Sequence, residues 1–294
     1  MISIKNCPIC GGENFQKKLR CKDHSVSKKT FTIVSCETCS FLITNPRPEE
    51  NEIGAYYQNS SYISHHNNTK GLFNFLYQAV RKYTTIKKTL LLKHKKGDSV
   101  LDIGCGTGEF LNKCEKLGIT TKGVEPAEIA RKQATKKFGL EVSKKTDLKE
   151  YKNNEFNHIT LWHALEHIAK LEETIQELAR ILKKEGQIIV AVPNYKCWDA
   201  KHYKEYWAAW DTPIHFWHFS KKTISMLFKN HGFSLVKTSP MIFDSYYVSI
   251  LSEKYRSGKR NFIRGIIVGL ISNIFGILTK NGHSSTIYIF KKKK

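Results

Sequence analysis

From residue 99 onward the chain alternates short apolar runs with amphipathic stretches, and "VLDIGCGTGEF" at 100–110 carries the tightest constraint. An apolar run ends in Asp102, passes glycines at 104, 106 and 108, and enters a helical stretch near Glu109. Repeated strand–loop–helix units of this kind build a parallel sheet with helices on both faces. The repetition is present. "SVLDI" and "TKGVEP" read as strands with "GEFLNKCEKLG" as the helix between them. "AEIARKQATKKFG" is the next helix, and "LEVSKK" is a weak strand. "FNHITLW" reads as a strand, "LEETIQELARILKKEG" as a helix ended by Gly186, and "QIIVAVPN" as a strand. "SKKTISMLFKNHG" is a helix capped by Ser220, "FSLVKTS" is a strand, and "STIYIFK" supplies the final one. The expectation is an α/β fold with a doubly wound sheet, its ligand at the carboxyl ends of the strands.

The glycine loop discriminates among ligands. A dinucleotide fingerprint is G-x-G-x-x-G, whereas the sixth position here is Glu109. Asp102 and Glu109 place negative charge beside any pyrophosphate. A cofactor with cationic centres fits better, and S-adenosylmethionine (SAM), with its sulfonium and ammonium, is one. An acid ending the second strand can hold ribose hydroxyls. Glu125, in "KGVEP", stands 21 residues after Gly104, at the expected distance.

The stretches "VLDIGCGTGEF", "GVEPA", "FNHITLWHALEHI", "LARILKKEGQIIVAVPN" and "HFSKKTISMLFKNHGF" resemble successive motifs of class I SAM-dependent methyltransferases, over roughly residues 98–240. The resemblance implies a Rossmann-like methyltransferase sheet whose last strand completes an antiparallel hairpin. It implies that Gly104, Gly106 and Gly108 approach the methionine part of SAM and that Glu125 holds the ribose. By the same resemblance Asp147 and Leu148, in "KTDLKE", lie by the adenine, and Asp102 acts near the loop through water.

The acceptor side is expected after the fourth strand. If "LWHALEHI" turns helical, His163, Glu166 and His167 share one face. The segment is similar to the E-x-x-E-H segment of ubiquinone-pathway O-methyltransferases, where acid and His ligands can hold magnesium by the acceptor. Here His163 replaces the first Glu, and magnesium prefers oxygen ligands, so a general base is favoured over magnesium. The plainer reading is that Glu166 and His167 only orient the loop. "WAAWDTPIHFWHFS" (207–220) adds Asp211, His215, His218 and five large aromatics, either as a substrate cover or as core. Methyl transfer disperses positive charge, so a dry aromatic pocket helps and no strong acid is required. A hydroxyl acceptor needs a base. His215 is the first candidate and His167 the second, with His163 beside them.

Ahead of this domain, Cys7-x-x-Cys10 and Cys36-x-x-Cys39 form two pairs with metal-knuckle spacing around a short β-ribbon. Four thiolates leave no open position, so a structural zinc is expected. A four-cysteine module before such a domain also resembles a group of bacterial small-molecule and sugar methyltransferases. The expected organisation is a zinc-ribbon-like module at 1–48, a linker and helix at 49–97, and the methyltransferase domain at 98–294. Leu72, Phe75, Leu76, Ala79, Val80 and Tyr83 give the helix in 71–96 its apolar spacing. "MISIKNCPIC" lacks the order of a signal peptide, so a cytoplasmic location is expected.

The net charge of +22 is uneven: +10 in residues 1–97, +4 in 98–240 and +8 in 241–294. A basic surface suits nucleic acid, anionic lipid or an anionic substrate, or is simply solvated. Nucleic acid is not favoured as partner, because "LWHALEH" is not the N-P-P-Y type of segment that holds a base amino group. No Cys stands in a nucleophile motif for carbon-5 chemistry either. An RNA base methyltransferase and an inactive SAM-fold binding protein remain the alternatives to methylation of a small-molecule, sugar or lipid-linked acceptor, with oxygen the favoured target. The hydrophobic helical insertion at 262–280 has two readings. Its uncharged part spans about 22 Å as a helix, short of a bilayer core. Either its side of Ile267, Leu270, Ile271, Ile274 and Leu278 packs on the sheet, or that side meets a membrane surface with the flanking basic residues.

Overall fold

The computed structural model describes residues 1–57 and 72–293, with the side chains of 72–77 outside the described set. The chain opens with three antiparallel strands, β1 (Phe15–Lys22), β2 (Thr30–Cys36) and β3 (Leu42–Thr44). Helix α1 (Leu72–Leu92) leads into β4 (Ser99–Ile103), α2 (Glu109–Glu115), β5 (Thr120–Val124), α3 (Glu128–Phe138) and β6 (Val142–Ser143). There follow β7 (Phe156–Trp162), α4 (Leu171–Ile181), β8 (Leu182–Pro193), α5 (Trp198–Tyr203) and β9 (Trp217–His218). The chain continues through α6 (Lys221–Asn230), β10 (Phe233–Pro240), α7 (Asp244–Ser257), α8 (Phe262–Leu278) and β11 (Ser285–Lys292).

The main sheet has seven strands in the order β10-β11-β8-β7-β4-β5-β6. The strands from β4 to β8 pair in parallel, and β11 runs antiparallel between β8 and β10. Period-two alternation sends successive residues to opposite faces. Ile188 and Val190 point into a core with Ile175, Leu178, Ile224 and Phe228 of α4 and α6. Ile189 and Ala191 meet Leu92, Phe110 and Leu111 of α1 and α2 on the other face. This is the expected doubly wound α/β sheet, with both faces covered, and the last strand does complete a hairpin.

Three local departures have physical causes. The helix expected to run to Gly186 stops at Ile181, and Leu182 already pairs with Phe156 across β7. Gly186 lies inside β8, where a Cβ would come within 2.8 Å of the Asn157 carbonyl oxygen. It is there for close approach, not as a cap. The apolar spacing of α1 does not mark a buried face: Tyr83 and Ala79 are exposed and Val80 is half-buried, while Leu72, Phe75 and Leu76 lie outside the described side chains. In α8 the burial runs opposite to the sheet-packed reading. Gly265, Gly269, Ser272 and Asn273 face inward and the isoleucines face out.

The N-terminal strands do not form a sheet alone. Strand β9 pairs with β3 as a fourth strand, so residues 217–218 complete the ribbon's sheet. Cys7, Ile9, Phe41 and Ile43 share one continuous core with the main sheet.

Candidate active site

The loop after β4 turns through Gly104, Gly106 and Gly108, all at positive φ (73°, 57° and 81°). A side chain at Gly104 would meet the Ala164 Cβ at 2.9 Å, so this loop abuts the one after β7. A Cβ at Gly106 would meet nothing within 4 Å, which leaves an open cradle over its backbone. Glu125, at the end of β5, is buried, and its two oxygens accept from the Gly106 N–H (2.9 Å) and the Ala127 N–H (2.8 Å). Burial pushes its pKa up, against those two hydrogen bonds. Asp102 is buried under the loop and accepts from the Thr160 hydroxyl at 2.6 Å; burial pushes its carboxyl up to about 7. An acidic floor of this kind fits a cationic ligand and opposes a pyrophosphate.

Helix α1 crosses this loop. Arg81 pairs with Glu109 at 2.5 Å and donates to Thr107 at 3.3 Å. Lys88 lies 4.5 Å from the Trp162 ring, where burial lowers its pKa and the charges of Asp102 and Asp244 oppose the shift. A cleft of about 60 Å³ opens between α1 and the segment before α7, lined by Tyr83, Lys88, Met241, Phe243 and Asp244. Neither Lys88 nor Asp244 carries a sequence signal. One is among many helical lysines, and the other acts only once β10 brings it beside β7.

The loop after β7 presents His163 and His167, and the segment before β9 presents His215, in three different states. His163, at φ 55°, is held between Glu166 (3.3 Å) and Asp244 (2.9 Å). Burial opposes its charge, but the two carboxylates win and raise its pKa to about 10. A protonated imidazole has no lone pair to offer, so this arrangement favours His167 and His215 over His163 as the base. His167 directs Nδ1 at the Ile214 carbonyl (3.0 Å) and the Tyr57 hydroxyl (3.0 Å), and burial lowers its pKa. His215 donates from Nδ1 to the Ala209 carbonyl (3.0 Å) and turns Nε2 toward Asp211, 4.0 Å away. Burial first, then the neighbouring His167 and His218, hold its pKa well below the ordinary value. The rings of His167 and His215 meet edge-on, 4.6 Å apart. With Glu166 they offer three donors within 4.8 Å of one another. Two of the three are imidazole, a donor set unlike the oxygen shell magnesium takes, and His163 is not part of it.

The aromatics of 207–220 are core. Trp207, Trp210, Phe216, Trp217 and Phe219 are all buried, and the Arg47 guanidinium stacks over Phe216 at 4.2 Å. Asp147 caps a short turn by accepting from the Lys149 N–H (3.1 Å), and the Leu148 side chain is buried.

The four ribbon cysteines converge, with Sγ–Sγ distances of 3.6 Å for Cys7–Cys39 and for Cys10–Cys36. Sulfurs about 2.3 Å from a tetrahedral ion stand about 3.8 Å apart, so the donor set fits such an ion.

The family described as Methyltransferase domain matches residues 75–238. An uncharacterized protein of Methanocaldococcus jannaschii is 31% identical over 148 residues, covering 46% of this chain and 56% of its own. A ubiquinone biosynthesis O-methyltransferase of Actinobacillus pleuropneumoniae is 31% identical over 110 residues, covering 33% and 47%. The chain thus spans about half the length of the curated relatives it matches. Among solved structures, the magnesium protoporphyrin IX methyltransferase of Synechocystis with bound S-adenosylhomocysteine superposes with a TM-score of 0.56 at 12% identity, over 83% of this chain and all of that one.

Proposed function

The chain belongs to the methyltransferase-domain family, and on that premise we propose that it transfers a methyl group from SAM to the oxygen of a small-molecule acceptor. The observation that carries this reading is the open glycine cradle over an acidic floor, with His167 and His215 packed edge-on in the adjoining segments. SAM supplies an activated methyl on a sulfonium. Gly104, Gly106 and Gly108 approach its methionine part, Glu125 holds the ribose, and Asp147 and Leu148 flank the adenine. Asp102 lies beneath the loop, where a cationic ligand would favour its ionised form. His215 takes the acceptor proton at Nε2. Its Nδ1–H is fixed on a carbonyl, and its low pKa keeps it neutral at physiological pH. His167 packs against it and shares the acceptor side.

The acceptor is a sugar or a lipid-linked precursor, which suits an amphiphilic cleft lined by both Lys88 and Phe243. Cys7, Cys10, Cys36 and Cys39 hold a structural zinc. Calorimetry with SAM tests the first step, and absence of binding by the folded chain refutes the reading. Incubation with SAM and a metabolite extract should give one species heavier by a methylene. His215→Ala should cut turnover about 10²–10⁴-fold with SAM affinity unchanged. The deficit should shrink as pH rises and the acceptor hydroxyl ionises unaided.

A further inference from the structure

Helix α8 is clamped on one side and bare on the other. Gly265 lies against Ile250 and Gly269 against Tyr246 of α7, at distances only glycine tolerates. Ser272 donates to the buried Asp199 at 2.6 Å, and Asn273 donates to the Ile242 carbonyl at 2.9 Å. These contacts fix the helix rotationally, so it cannot roll its other face under cover. That face carries Ile263, Ile267, Leu270, Ile274, Ile277 and Leu278, each 46% to 75% exposed. Their spacing makes one aliphatic stripe along about 22 Å of helix. Soluble surfaces rarely leave such a stripe open without a partner.

The charge around the stripe selects the partner. Lys259, Arg260 and Arg264 stand at one end and Lys280 at the other, all exposed. No acidic residue occurs between Lys254 and Lys294, a span holding ten Lys and Arg. The nearest acids are buried and engaged: Glu253 with Arg256 and Arg264, and Asp199 with Ser272, Ser284 and Trp207. A protein partner is normally met by charges of both signs and by hydrogen bonds at the rim. A lipid surface demands only an apolar depth and a negative plane. No helix among the described residues is long and apolar enough to cross a membrane, which leaves an in-plane position.

We propose that α8 seats the protein in the interface of an anionic lipid bilayer, its axis in the membrane plane and the isoleucine stripe among the acyl chains. The seating stands on the surface alone. Its use rests on the methyl-transfer reading: Asn273 holds Ile242, and two residues on Asp244 holds His163, so the lip of the cleft lies beside the seated helix. A lipid-linked acceptor would enter without leaving its bilayer.

Flotation of the full chain with phosphatidylglycerol–phosphatidylcholine vesicles, and with phosphatidylcholine alone, tests the seating. At low salt we expect at least about tenfold more protein with the anionic vesicles, since each basic residue near the surface is worth about fivefold. Raising salt should weaken it. The triple variant Ile267→Ser, Leu270→Ser, Ile274→Ser should lose flotation while keeping its circular dichroism and its unfolding midpoint within a few degrees. Lys259→Gln with Arg260→Gln should lower only the anionic-vesicle signal. A folded wild-type chain that stays at the bottom of the gradient at low salt overturns the proposal. Equal flotation with both vesicle types removes its anionic requirement. A wild-type dimer that the triple variant converts to monomer assigns the stripe to a second copy and overturns it as well.

Discussion

Glu125 holds two backbone N–H groups before any ligand arrives, and so fixes the glycine loop in the shape that receives one. Glu125→Ala should weaken SAM binding by about 1.5–3 kcal/mol, the range for hydrogen bonds to a charged group, as read by calorimetry. An unchanged affinity in a folded variant would remove the ribose assignment. Two groups contribute to the pH response of stability. Asp102 is raised to about 7 by burial, from an ordinary value of about 4. The folded chain therefore keeps a proton the unfolded chain has released, and stability falls as pH rises from about 4 through 7. His163 is raised to about 10 by its carboxylates, from about 6.5. Its stabilisation is complete below about 6.5 and is lost as pH rises through 10. Urea unfolding over a pH series should show Asp102→Asn flattening the lower window and His163→Gln the upper one. The glycines and Glu125 were legible in the sequence because the loop's chemistry is local. His163's charge state was not, because Asp244 is 81 residues away and meets it only through the fold.

At the scale of elements, most strands announced themselves by alternation, and α6 by its Ser220 cap, to which the structure adds a reciprocal box with Thr223. The break between α4 and β8 did not. "LARILKKEG" has helical periodicity throughout, and only the pairing of Leu182 with Phe156 ends the helix early. Gly186→Ala tests the reason for that glycine. Its Cβ would press on the Asn157 carbonyl and on Leu182 at 2.8 Å, and the overpacking should cost about 1–3 kcal/mol of stability. A neutral substitution would mean that the strand shifts freely. Helix α8 shows the opposite limit of sequence reading. Its two faces were legible as faces, but which one is covered depends on α7 accepting glycine and not isoleucine.

At the scale of the whole molecule, the ribbon and the main sheet share one core and should unfold together. Cys36→Ser, or exhaustive chelation, should lower the unfolding midpoint of the entire chain by several degrees in one transition, followed by calorimetry. Two separate transitions would show the ribbon to be independent. The strand that joins them also does something mechanical. Thr44, the last residue of β3, donates to the His215 carbonyl at 2.7 Å and contacts the His218 ring at 2.9 Å. The ribbon is therefore joined to the His215 segment through β3, by its pairing with β9, by the Thr44 N–H on the Phe216 carbonyl and by the Thr44 hydroxyl. If the thiols hold zinc, metal-stripped protein still folded at low temperature should grip SAM almost normally and turn over slowly.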